Sequence, residues 1–280
     1  MVSVDDRGFL FADGIYEVTP AYRGAFFRLD RHLERMRRGL DALKIDFDPA
    51  ALADVHGALL AANGFEQSPT CYVYAQVTRG VAPRAHAFPT TPVKPTVYAF
   101  AREFARPARE VWDQGFAAVT VPDRRWARAD LKTIGLLANC LALQAAVDAG
   151  ATDALLVRDG IAIEGAHSNF FAVIDGTVIT HPATNQILHG ITRAFVLELS
   201  EQLGLPVSER PIQIEELARV QEAFFTGTTT EVRPTVRIDG KPVGDGKVGP
   251  VARKLLEAYI AGSGRAAAGA GRAAAGVGAR

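Results

Sequence analysis

Two Asp-Gly pairs, Asp159-Gly160 and Asp175-Gly176, constrain the fold of this 280-residue chain more than any other feature. Each sits between two runs of apolar and β-branched residues, in "DALLVRDGIAIEG" and in "FFAVIDGTVITH". Asp-Gly supplies the positive-φ turn whose twist matches that of the flanking strands, so both stretches read as β-hairpins. "GIYEVTPAYRGAFFRL" repeats the pattern around Arg23-Gly24. Antiparallel hairpins are therefore expected in both the N-terminal and the central part of the chain.

Helices follow from a different period. "LDRHLERMRRGLDALKI" places Leu33, Met36, Leu40 and Leu43 at helical spacing, with Asp30 as its expected N-cap. A second helix opens at Asp48-Pro49 and closes at Asn63-Gly64. The strands "CYVYAQVTRG" and "PTVYAFARE" flank "VAPRAHAFPTTPVKP", too rich in proline for regular structure. Farther on come the strand "GFAAVTVP", the helix "TIGLLANCLALQAAVDAG", expected to be almost wholly buried, and helices over "ITRAFVLELSEQLG" and "IEELARV". "EAFFTG" is a strand and "VARKLLEAYI" the last helix. Strand runs and helix runs cluster rather than alternate, which predicts an α+β fold. "ARPAREV" is the expected boundary between a domain over 1–106 and one over 107–262; the Ala/Gly/Arg repeat of 263–280 is expected to be disordered.

Charge is balanced, 31 basic against 31 acidic residues, but Arg265, Arg272 and Arg280 lie in the tail, so the body is net acidic and no nucleic-acid partner is expected. The start lacks a signal-peptide layout and no apolar run spans a bilayer, so no membrane partner is expected either. Cys71 and Cys140 show no paired spacing and read as free buried thiols in a reducing compartment, the cytoplasm. No GxGxxG follows a strand; "GKPVGDGKV" lacks P-loop spacing; HExxH and GxSxG are absent, and the histidines do not cluster as metal ligands.

What remains is a scattered set of anion-binding elements. Gly190, Ile191 and Thr192 open a helix whose free N–H groups and dipole favour a phosphate. "FFTGTTTEV" ends a strand at Gly227 with Thr228 next in a donor-rich turn, and His32 and Arg35 share a helix face. Each alone reads equally as a helix cap, a polar turn or a solvated surface. Lys132 is the last charged residue before "TIGLLANCLALQAAV". An amine there loses hydration and can keep a neutral fraction fit for Schiff-base chemistry, or it can simply reach for water. Glu164, after "IAI", is either a buried carboxylate in need of a cationic partner or a hairpin-end surface acid.

Taken together, "DRGFLFADGIYEV", "RLDRHLERM", "TRGVAPRAHAF", "DLKTIGLLANCLA", "EGAHSNFF", "HGITR" and "FTGTTTEV" resemble the fold-type IV aminotransferases that use pyridoxal 5′-phosphate (PLP), most of all those acting on D-amino acids. The resemblance runs in order from about Asp5 to Ile260 and implies two domains, a small N-terminal α/β one and a larger β-barrel-like one with helices. It implies that Lys132 holds PLP covalently and carries the proton in transamination. Glu164 would face the pyridine nitrogen, Leu188 would pack on the ring, and the phosphate would be met by Arg35, Ile191, Thr192, Gly227 and Thr228.

Tyr16, Arg84 and His86 would grip the substrate α-carboxylate, the last two donated across a homodimer interface. The implied reaction converts D-alanine and 2-oxoglutarate to pyruvate and D-glutamate. Branched-chain L-amino acid aminotransferases and aminodeoxychorismate lyases share the fold but are not expected to carry "PRAHAF"; a non-catalytic interaction protein would not need Lys132 and Glu164 together. Two departures stand out. "GAHSN" replaces the family's serine run after Glu164, putting Ala166 and His167 where hydroxyls are usual, and the chain begins almost directly on "DDRGF", where the family usually has one more strand.

Overall fold

A computed structural model describes residues 2–274, with side chains described through residue 264. Cα packing divides the chain into two units: one holds residues up to Ala105, Leu131–Leu136 and the chain from Ser263; the other holds Arg106–Asp130 and Leu137–Gly262.

The first unit is built from α1 (Arg7–Phe11), β1 (Gly14–Tyr22), β2 (Ala25–Phe26), α2 (Leu29–Leu43), α3 (Leu52–Asn63), β3 (Cys71–Thr78) and β4 (Thr96–Glu103). Its sheet runs β2-β1-β3-β4 with every pair antiparallel. The β1–β2 turn falls at Arg23-Gly24, both at positive φ as a primed turn requires. Met36 and Leu40 of α2 pack against Ile15, Ala75 and Val77. Alternation along the strands leaves the opposite face aromatic: Tyr16 stacks on Tyr74 with centroids 5.4 Å apart, and Tyr74 on Phe100 at 5.1 Å.

Asp30 does not cap α2. The N-cap is Arg28, in the left-handed region, and Asp30 falls in the first helical turn, where a carboxylate still favours the dipole. Asp48 does cap as expected, its carboxylate accepting from Ala50 N–H at 2.9 Å, but the first turn it opens is a 3-10 turn over Pro49–Ala51 before α3 begins.

The second unit comprises α4 (Arg109–Gln114), β5 (Phe116–Pro122), α5 (Leu137–Asp148), β6 (Asp153–Arg158), β7 (Ile161–Gly165), β8 (Asn169–Ile174), β9 (Thr177–Thr180), α6 (Ile191–Gln202), β10 (Val207–Glu209), β11 (Ile212–Gln213), β12 (Glu222–Gly227), β13 (Glu231–Ile238), β14 (Lys241–Pro242) and, through Gly262, the first part of α7 (Pro250–Ala274). Its ten-stranded mixed sheet runs β10-β9-β8-β12-β13-β5-β6-β7-β11, with β14 paired to β13. Both Asp-Gly pairs make the expected tight turns, with positive φ at all four residues. Phe170 packs with Phe225 on one side of β8 and β12, while Phe171 stacks on Phe224 at 4.9 Å on the other, so both strands are buried on two faces.

Two expectations need correction. Thr133, Ile134 and Gly135 are not helical: α5 starts only at Leu137, and the stretch before it pairs with β1 instead. Leu131–Leu136 consequently pack with the first unit, inside what the sequence assigns to 107–262. Second, α5 is not wholly buried. Ala142 and Ala146 face its sheet, while Leu137, Leu141 and Val147 are 75%, 63% and 57% exposed and Cys140 is also exposed, because small residues let the helix sit close and turn its large side chains outward. The helix α7 is traced to Ala274, inside the tail for which disorder is expected; 275–280 lie outside the described residues. The helix expected over "IEELARV" forms as a 3-10 helix over Ile214–Arg219. No described helix is long and apolar enough to cross a membrane.

Candidate active site

In the first unit, Lys132 is carried by backbone pairing rather than by a helix. Tyr16 N–H donates to Lys132 C=O at 3.0 Å and Ile134 N–H to Gly14 C=O at 3.1 Å, so the segment extends the sheet beyond β1. Gly14 allows this approach: a Cβ there would lie 2.8 Å from Val77 C=O and 3.1 Å from Ile134 Cδ1. The half-buried Lys132 places Nζ 4.2 Å from the centroid of the Tyr16 ring. Lys132 and Tyr16 are thus brought together on the aromatic face of the sheet.

The residue after Tyr16 points the other way, as strand alternation requires. Glu17 is 1% exposed and accepts from Arg35 Nε at 2.7 Å and Nη2 at 2.8 Å, and from His32 Nδ1 at 2.8 Å. Burial alone would raise the Glu17 pKa, but the Arg35 guanidinium and the His32 bond hold it well below the usual carboxylate range. Burial holds His32 below its ordinary value, so it is a neutral imidazole donating through Nδ1. The shared helix face of His32 and Arg35 therefore meets a buried carboxylate, a partner that the sequence reading missed. Arg84 and His86 stand exposed on the proline-rich loop, both against Phe11: the Arg84 guanidinium lies 5.3 Å from its ring and the His86 ring 5.6 Å.

In the second unit, Glu164 on β7 is 3% exposed, so the buried reading holds over the surface one. Its carboxylate accepts from Arg125 Nη1, from Asn169 Nδ2 at 2.8 Å and from Leu188 N–H at 3.1 Å. Arg125 is fixed in turn by Asp123, with Nε and Nη2 both 3.0 Å from its carboxylate. Burial pushes Glu164 up to about 7 against the pull of Arg125 and the Leu188 N–H. A carboxyl poised there can exchange a proton with a nitrogen base near neutrality.

Leu188 serves this group through its backbone at both ends, since its C=O accepts from Asn169 Nδ2 at 2.8 Å. Asn169 also reaches the start of α6. A Cβ on Gly190 would fall 2.1 Å from Asn169 Oδ1, so only glycine fits as N-cap, and no side chain caps that end. Ile191 and Thr192, 9% and 5% exposed, begin the helix. Gly227 ends β12, with half-buried Thr228 in the turn before Glu231, which holds a left-handed backbone at φ 54°. Helix-end N–H groups and threonine hydroxyls are donors suited to a phosphate, and a buried carboxyl ringed by donors suits a pyridine nitrogen. The donor set fits PLP.

Ala166 and His167 leave this network intact. Ala166 is buried and bonds through its backbone, N–H to Asp153 Oδ1 at 3.2 Å and C=O from Asn139 at 2.7 Å, while His167 is exposed. Ser168 donates to Asp153 Oδ2 at 2.5 Å. Arg125 and Asn169 were missed from the sequence. Asn169 stands in the quoted "EGAHSN" and was within reach of a closer reading; nothing in "PDRRWAR" singles out Arg125.

If Glu164 must be ionised to act, replacing Arg125 by methionine removes the charge that opposes burial. The Glu164 carboxyl then climbs further, the acid limb of the pH profile moves to higher pH, and kcat/KM at about pH 7 falls about tenfold, to be regained in more alkaline buffer. An unshifted acid limb, measured across the same range, would leave Arg125 a structural residue only.

The profile of the amino-transferase class IV family matches residues 14–238. The D-alanine aminotransferase of Staphylococcus haemolyticus is 43% identical over 260 residues, covering 92% of this chain and 91% of that protein. That of Bacillus licheniformis is 38% identical and covers 92% and 90%. Among solved structures, the branched-chain aminotransferase of the archaeon Thermoproteus uzoniensis with norvaline superimposes with a TM-score of 0.83 at 28% identity, over 93% of this chain and 88% of that one. A branched-chain amino acid aminotransferase solved with pyridoxamine 5′-phosphate also superimposes with a TM-score of 0.83, at 29% identity over 94% and 89%.

Proposed function

The chain belongs to the class IV aminotransferases, and from that premise we propose that it moves the amino group of D-alanine to 2-oxoglutarate, yielding pyruvate and D-glutamate. What carries the reading is the similarity to D-alanine aminotransferases along nearly the whole chain. The solved branched-chain enzymes share the fold at lower identity.

PLP, when bound, supplies an aldehyde carbon for an amine and a ring that withdraws electrons from the substrate Cα. The chain's own groups do the rest. Lys132 Nζ would hold the cofactor covalently and, when free, would take the proton from the substrate Cα as a base and return one as an acid. The Tyr16 ring beneath Nζ bounds its motion. Glu164, oriented by Arg125 and Asn169, holds or releases a proton toward the ring nitrogen. The start of α6, Thr192, Gly227 with Thr228, and Arg35 would hold the phosphate, with Glu17 setting the Arg35 orientation.

Arg84 and His86, with Tyr16, bind the α-carboxylate, Arg as a bidentate partner and the others as single donors. They act in the neighbouring subunit of a homodimer. Their exposure in the single chain supports this, as does the bare apolar stripe of Leu137, Leu141 and Val147 on α5. The free thiols Cys71 and Cys140 support a cytoplasmic setting.

Transamination separates from elimination by its need for an acceptor. With D-alanine in excess, continuous pyruvate release is expected to depend on added 2-oxoglutarate and to match D-glutamate mole for mole. Pyruvate released at the same rate without a 2-oxo acid would point to lyase chemistry on this fold.

A further inference from the structure

We propose that Arg7 is the positioning residue of the loop that carries Arg84 and His86: its guanidinium, held by Asp13, clamps the loop backbone and so determines where those two side chains stand. The inference rests on the carboxylate-binding reading of Arg84 and His86 given above. The loop pairs only at its start, where Val81 bridges to Asp6; beyond it the prolines bar a sheet ladder and residues 83–88 are exposed. Something else must hold it. Arg7 is 2% exposed and donates through Nη1 to Ala85 C=O at 2.6 Å and Ala87 C=O at 3.4 Å, the carbonyls on either side of His86. Its Nε donates to Asp13 Oδ2 at 2.8 Å.

Asp13 ties this clamp to the core of the unit. It accepts from Arg79 Nε at 2.7 Å and Nη2 at 3.0 Å, and Arg79 donates onward to Leu43 C=O at 2.7 Å and Lys44 C=O at 2.9 Å at the end of α2. Two rings complete the seat. Phe88 lies 3.6 Å from the Arg79 guanidinium, and Phe11 lies 4.7 Å from that of Arg7 while also bearing Arg84 and His86. A single buried cation thus spans the loop backbone and the ring on which both proposed substrate contacts rest. Removing it leaves Asp13 paired with Arg79, so the unit keeps a compensated carboxylate while the loop loses its tether.

The test compares R7M, R7K, R84M and the double variant R7M/R84M as holoenzymes, by steady-state kinetics with D-alanine. R7M is expected to raise KM for D-alanine by about tenfold or more while kcat stays within a factor of about two, because ground-state and transition-state grips are lost together. R7K, which keeps the charge but lacks the planar fork that reaches Asp13 and the loop carbonyls together, falls between R7M and the unaltered enzyme. In the R84M background R7M acts only through His86, so it adds less than it does alone. Should R7M fold poorly, F88L loosens the same seat from the loop side and carries the same expectation. A normal KM in R7M beside a raised one in R84M overturns the inference alone, as do effects that multiply in the double variant. An unchanged KM in R84M removes the carboxylate reading, and the inference with it.

Discussion

Lys132→Met is expected to lower kcat by about 10⁴-fold, with substrate affinity changed far less, because one side chain is both the covalent anchor and the proton carrier. Methionine matches the length and apolar stem of lysine, and the backbone bonds that hold residue 132 against β1 do not involve the side chain, so the fold survives the change. The same variant tests the homodimer. Mixed with R84M, also defective, K132M would form hybrid dimers. If Arg84 crosses the interface, one of the two sites in each hybrid is whole, and mixing restores about a quarter of the unaltered rate. No recovery would place Arg84 in the site of its own subunit. A K132M enzyme that keeps a tenth of its rate would make Lys132 only a side chain at a sheet edge.

The second large effect falls on stability. Glu17→Gln removes the carboxylate charge that the buried Arg35 guanidinium bonds through Nε and Nη2, at a cost of about 3–5 kcal/mol in urea unfolding near neutral pH. The sign of the pH dependence follows from the direction of the shift. Glu17 is held well below its ordinary value in the folded chain, so its contribution is present above the unfolded carboxylate range and is lost as pH falls toward the folded value. The gap between E17Q and the unaltered protein should therefore narrow in acid. A cost under about 1 kcal/mol, or a gap that widens in acid, would mean that Arg35 finds another counter-charge. The variant is also expected to bind PLP less tightly, since the Arg35 fork loses its support.

How much of this was open to reading differs from residue to residue. The Asp-Gly turns were legible because their backbone demand is local, and so was α2, whose apolar period carries Met36 and Leu40 onto Ile15. Lys132 was legible as a chemical candidate but misplaced in structure. The apolar run "TIGLLANCLALQAAV" has no period that tells a helix from the extended lead-in that precedes it, and the pairing with Gly14 and Tyr16 is a long-range fact. The same lack of period hid which face of α5 is bare. Glu17 is not legible as a site residue because its partners are long-range; strand alternation puts it and Tyr16 on opposite faces, one into the Arg35–His32 cluster and the other toward Lys132. Arg125 could not be found at all. Its importance lies in bonds to Asp123 and Glu164, and only the folded chain brings the latter within reach.

The most direct measurement is the visible absorption spectrum of the purified holoenzyme, before and after addition of D-alanine and, separately, of L-alanine. A long-wavelength band from the bond between Lys132 and PLP is expected, and D-alanine alone should convert it to the shorter-wavelength amine form, with L-alanine leaving it unchanged. Conversion by L-alanine would contradict the assignment of Arg84 and His86 to D-substrate binding, and a band that persists in K132M would contradict the claim that Lys132 holds the cofactor.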